Sequence, residues 1–110
     1  MTDAPGPVLL RERDSRGVLT LTLNRPDAFN ALSEAVLDAL EEALGDASRD
    51  EGLRVVVLAA AGKAFCAGHD LREMRASPSL DYYRGLFARC ARVMLAIQAL
   101  PVPVVAKVQG

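Results

Sequence analysis

A chain of 110 residues, 51% hydrophobic and 25% charged, has the balance of a folded globular protein and allows one domain at most. Its formal charge of −1 offers no field for nucleic acid or an anionic membrane, and its apolar content excludes disorder. No apolar run reaches the roughly 20 residues of a membrane span; Met1 to Pro5 lack the basic start of a secretory signal, and two cysteines, Cys66 and Cys90, build no disulfide framework, so a reducing cytoplasm is the expected compartment.

Residues 1–7 read as a flexible tail rich in Pro and Gly, and 8–110 as the folded portion. From Val18 the chain alternates, with Leu19, Leu21 and Leu23 on one face and Val18, Thr20 and Thr22 on the other. With the preceding apolar start at Val8, this spacing predicts two strands joined at Asp14-Ser15-Arg16-Gly17, where Gly17 supplies a positive φ. Pro26 breaks the sheet. Ser33 is placed as an N-cap, and Val36, Leu40, Ala43, Leu44 and Ala47 predict one buried helical stripe ending near Asp50. Gly45 inside that helix hints at close packing, and Gly52 stands where a C-terminal cap belongs.

Val55-Val56-Val57-Leu58 has the continuous apolar pattern of a parallel strand covered on both faces. A short helix is expected over Asp70–Met74, stopped at Ser77-Pro78. A longer one is expected from Ser79, burying Tyr83, Phe87, Cys90, Met94 and Ile97. Val102–Val108 reads as a last buried strand. Alternating strands and helices imply α/β layering, and an apolar strand with nothing after it leads us to expect part of a longer protein.

The stretch Gly62 to Met74, which follows the third strand and opens the short helix, stands where α/β folds place ligands. Small residues at Ala67 and Gly68 let a ligand approach the main chain, and the amides of Gly68, His69 and Asp70 are expected to be free donors for an anion or oxyanion.

The order Asn24-Arg25-Pro26, Ala28-Phe29-Asn30-Ala31-Leu32, Val55-Val56-Val57-Leu58 and Ala64-Phe65-Cys66-Ala67-Gly68-His69-Asp70-Leu71 resembles the enoyl-CoA hydratase/isomerase (crotonase) family. Pro103 to Gly110 resembles that family's strand leading to a second glycine-rich loop. The resemblance implies the N-terminal part of a ClpP/crotonase ββα spiral core, truncated here, in a family that assembles as trimers or hexamers. It implies that the His69 backbone N–H is one half of an oxyanion hole, and that Ala28, Ala67, Gly68, His69, Asp70 and Leu71 line a coenzyme A site. An acyl-CoA thioester would be the substrate, with no prosthetic group. Enoyl-CoA hydration or isomerisation in fatty-acid metabolism is the expected activity. The family's second oxyanion amide and its acid and base glutamates fall beyond Gly110, which keeps open a non-catalytic acyl-CoA-binding or subunit-interaction role.

Other readings are weaker. Cys66, His69 and Asp70 are adjacent ligand types, but a structural zinc needs four and nothing else clusters with them, so no metal is expected. A Cys66–His69 nucleophile pair lacks an orienting third group. Arg25, Lys63 and Arg72 could meet coenzyme phosphates, but the preferred reading of each is solvated surface charge. Glu73 is expected to turn outward. Neither G-x-G-x-x-G nor G-x-x-x-x-G-K-[ST] occurs, which disfavours a nucleotide site, and no Ser–His pairing supports a ClpP-type protease.

Overall fold

The computed structural model describes residues 7–76 and 78–109. The proposed tail therefore lies outside the described residues except for Pro7, whose carbonyl accepts a bond from Asn24 Nδ2 at 2.9 Å. Strands β1 (Leu9–Arg13) and β2 (Val18–Leu23) form the expected antiparallel hairpin, with Leu9 opposite Leu23 and Arg13 opposite Leu19. Gly17 has φ +89° in the turn, and an added Cβ would lie 2.6 Å from Gly52 O. Only glycine fits both conditions.

A 3-10 turn, Pro26–Ala28, leads to helix α1 (Glu34–Ser48), capped by Ser33, whose hydroxyl accepts from the Val36 amide at 3.2 Å. Strand β3 (Val55–Ala60) runs parallel beside β2. Helix α2 (Leu71–Ala76) and helix α3 (Leu80–Ala99) follow, and β4 (Val104–Ala106) adds a parallel edge. The sheet order is β1-β2-β3-β4. The core lies between this sheet and α1, where Leu21, Leu37, Leu44, Val36 and Val56 are almost wholly buried; α3 packs on α1. Burying each such side chain contributes about 1.5–3 kcal/mol, so this layer stabilises the platform on which the loops stand.

Several expectations need correction. The buried face of α3 is offset from the expected stripe. Leu86 and Val93 are buried, whereas Phe87 and Met94 are 46% and 43% exposed. Apolar pairs at 86/87 and 93/94 permit two helical phases, and the one observed lets Arg89 and Arg92 reach Asp38 and Glu41 of α1 at 3.2 and 3.1 Å. Gly45 is not in close contact: an added Cβ would meet only the Arg49 guanidinium, at 3.9 Å. Gly52 is not the cap of α1, because the amides of Arg49 and Asp50 already bond back to Asp46 O and Ala47 O.

Only Val56 of the β3 run is fully buried, and β4 is shorter than expected, with Val105 and Val108 exposed. An apolar run states what a strand is able to bury, and here β4 pairs with β3 on one side as an edge strand. The expected stop of α2 at Ser77 falls outside the described residues. No described helix is long and apolar enough to cross a membrane.

Candidate functional site

Two chain segments build the site, the turn after β2 and the loop after β3. Phe29 and Asn30 both adopt left-handed backbone, at φ 52° and 55°. Asparagine tolerates that region because its short side chain can bond nearby backbone. Asn30 is only 1% exposed. Its Oδ1 accepts from the Arg25 amide at 2.7 Å, while Nδ2 donates to Ala61 O and Ala64 O at 2.8 and 2.9 Å. One carboxamide thus fastens the turn to the loop. At the same end of the loop, Gln109 Nε2 donates to Ala60 O at 2.7 Å and to Gly62 O at 3.2 Å.

The two segments meet in a single parallel bridge between Leu32 and His69. The Leu32 amide donates to Gly68 O at 2.6 Å, and the Asp70 amide donates to Leu32 O at 3.1 Å. Because residues 68 and 70 make both bonds, the N–H of His69 between them points away from Leu32. Among the described residues no acceptor bonds that amide. Its neighbours differ from expectation: the Gly68 amide contacts Cys66 Sγ at 3.4 Å and the Asp70 amide is in the bridge, so neither is a free donor. Of the three amides singled out in the sequence, one is left unpaired. Gly68 has φ +94°, with nothing within 4 Å of an added Cβ.

A cleft of about 340 Å³ opens here, lined by Arg25, Ala28, Ala67, His69, Asp70 and Leu71 among others. Five of the six site residues proposed from the sequence line it, and Gly68 connects Ala67 to His69. A roomier hollow of about 510 Å³ near Asp50 and Pro101 gathers no comparable set of groups.

Arg25 departs from the surface-charge reading. Its Nη1 lies 3.1 Å from Asp70 Oδ2, with side-chain exposures of 28% and 10%. Asp70 Oδ1 accepts from the amides of Arg72 and Glu73 at 3.0 and 3.3 Å, capping α2. Burial alone would raise the Asp70 pKa, but the Arg25 bond and these two amides outweigh it and hold the carboxyl below its ordinary value. Glu73 does not simply face solvent: its Oε1 accepts from the Glu34 amide at 2.9 Å and so helps cap α1.

The His69 ring packs edge-on against Phe87 with centroids 5.0 Å apart, and its Nδ1 is buried with no partner among the described residues. Cys66 and Cys90 are half-buried free thiols that pack against the core. Among the described residues no three His, Cys, Asp or Glu side chains are grouped to hold a metal.

Reading the sequence missed the roles of Asn30, Arg25, Phe87 and Gln109. Only Asn30 left a usable signal, as an asparagine in a turn, where left-handed backbone is common.

A family model described as enoyl-CoA hydratase/isomerase matches residues 13–110. The chain belongs to the enoyl-CoA hydratase/isomerase family. A crystal structure of an enoyl-CoA hydratase from Mycobacterium smegmatis shares 70% identity at a TM-score of 0.93, covering 94% of this chain and 40% of that one. The human enoyl-CoA hydratase domain-containing protein 3, mitochondrial, is 38% identical over 107 residues, covering 96% of this chain and 34% of its own length. The 1,2-epoxyphenylacetyl-CoA isomerase of Escherichia coli is 35% identical over 105 residues, covering 86% and 37%. The enoyl-CoA hydratase/isomerase fold is thus present in part: the chain spans about a third of the length of these curated relatives. Its α/β architecture is crotonase-like, as the order of the sequence motifs implied.

Proposed function

We propose that the cleft binds an acyl-CoA thioester and that the His69 N–H polarises the thioester carbonyl as one donor of an oxyanion hole. The unpaired amide of His69 beside a cleft lined by Ala28, Ala67, Asp70 and Leu71 carries the reading. An amide fixed before the reaction stabilises the enolate oxygen as charge develops there, without reorganising; one such donor is worth about 10²–10³ in rate. The reaction class proposed is enoyl-CoA hydration or isomerisation in fatty-acid metabolism, with the thioester as substrate and no prosthetic group. Family membership and the names of the relatives support it. The same proposal includes assembly as a homotrimer or hexamer, to be measured by sedimentation. It also includes a cytoplasmic setting, supported by the two free thiols although several vertebrate relatives are named mitochondrial, to be checked by cell fractionation.

A second reading is a non-catalytic acyl-CoA-binding or subunit-interaction protein. One observation favours it: the carboxylates flanking His69 are already committed, Asp70 to Arg25 and two amides, Glu73 to the Glu34 amide. Calorimetric titration with crotonyl-CoA and with free coenzyme A, followed by product analysis, separates the two. Binding with formation of 3-hydroxybutyryl-CoA or an isomer supports the enzyme, whereas binding without turnover supports the second reading. No binding of either ligand contradicts the enzyme and the acyl-CoA-binding role, and leaves only subunit interaction.

A further inference from the structure

We propose that Arg25 is a positioning residue for the thioester-polarising amide, holding the His69 N–H in place through Asp70 and Ala31. The proposal rests on the reading of that amide as an oxyanion donor. One guanidinium nitrogen, Nη1, donates both to Ala31 O at 3.3 Å and to Asp70 Oδ2 at 3.1 Å. These two acceptors stand on opposite sides of the Leu32–His69 bridge, Ala31 directly before Leu32 and Asp70 directly after His69. The bridge is isolated, with two hydrogen bonds; the Ala67 amide adds one more between the segments, to Phe29 O at 3.0 Å, on the side away from Asp70. Among the described residues the Asp70 side therefore has no main-chain bond between the segments beyond the bridge itself. Arg25 supplies support there, across both segments at once.

The staple is anchored at each end. The Arg25 main chain exchanges bonds with Asn30, its N–H to Asn30 Oδ1 at 2.7 Å and its carbonyl from the Asn30 amide at 2.9 Å. Asp70 has its other oxygen fixed by the α2 amides, so its carboxylate cannot swing away without uncapping the helix. A planar guanidinium suits such a place, since its donors leave in fixed directions and hold two acceptors with little loss of entropy.

Charge points the same way. An unpaired carboxylate one residue from the amide would oppose negative charge growing on a carbonyl oxygen, and the guanidinium cancels it. Neither Arg25 nor Asp70 belongs to the apolar core, and both line the cleft. Their pairing serves the site more than the platform beneath it.

The test uses a conjugated dienoyl-CoA thioester, whose absorbance moves to longer wavelength when its carbonyl is polarised. Red shift per bound ligand is measured for wild type, Arg25→Gln and Asp70→Asn, with the bound fraction taken from calorimetry and folding checked by circular dichroism. Each protein is read at saturating ligand, so a change of affinity at these two cleft-lining residues does not enter the shift. The shift should fall by about half or more in both variants, and any turnover by roughly 10–100-fold, the scale of a misplaced reacting group. A purely structural role would lower the folded fraction and leave the shift per bound ligand unchanged. A full shift in whichever variant folds overturns the proposal while leaving the oxyanion reading intact. A wild-type protein that binds the ligand without any shift, or does not bind it, overturns the oxyanion reading itself.

Discussion

Replacing Asn30 by alanine is the sharpest probe of how the site is held. The substitution removes three hydrogen bonds, to the Arg25 amide and the carbonyls of Ala61 and Ala64, from a residue 1% exposed. Each is worth about 0.5–1.5 kcal/mol net, more where the abandoned partner stays dry. Alanine must also adopt φ 55°, which adds about 1 kcal/mol. The expected loss is therefore about 3–5 kcal/mol, a large share of the roughly 5–15 kcal/mol that holds a domain folded. Urea unfolding should show the midpoint falling by about 1–5 M for a slope typical of small proteins. Asn30→Gly makes the comparison internal, since it loses the same bonds without the backbone strain and should be the more stable variant by up to about 1 kcal/mol. A loss under about 1 kcal/mol for Asn30→Ala, or a glycine variant weaker than the alanine one, would refute the reasoning.

Other substitutions separate fold from site. Gly17→Ala meets both a positive φ and Gly52 O at 2.6 Å, and should cost about 2–4 kcal/mol by urea unfolding. Gly68→Ala meets open space, so it should cost only about 1 kcal/mol while disturbing ligand binding beside His69. Asp70 has a depressed folded pKa, so the stability it contributes is complete above its unfolded value of about 3.9 and is lost as pH falls through the lower folded value. Asp70→Asn should accordingly flatten the decline of the urea midpoint below about pH 4; an unchanged acid limb would count against the Arg25 pairing. His69→Ala keeps the main-chain donor, so carbonyl polarisation should persist, and a complete loss with intact folding would assign the work to the imidazole instead.

The hairpin and α1 were legible because each carries a local signal. Alternation over Val18–Leu23 sets the sheet face, Gly17 the turn, and Ser33 the helix start. The loop at Ala67–Asp70 was legible as a place where small residues expose main chain. What was not legible depends on pairs distant in sequence. Arg25 resembled a surface cation until Asp70, 45 residues away, was placed beside it. The amides of Gly68 and Asp70 looked free because neither Cys66 Sγ nor Leu32 O announces itself as an acceptor. Helix α3 offered two phases of similar apolarity; the one observed buries Leu86 and Val93 and brings Arg89 and Arg92 to α1, contacts that no periodicity contains. The β4 run was apolar, but hydrophobicity does not specify what covers a strand.

Crotonyl-CoA carrying carbon-13 at the thioester carbonyl, bound to the protein and observed by isotope-edited infrared difference spectroscopy, reads that carbonyl directly. A stretch displaced to lower frequency than in the free thioester is the predicted result, and it should persist in His69→Ala. A bound carbonyl with the frequency of the free one would contradict the assignment of the His69 N–H as an oxyanion donor.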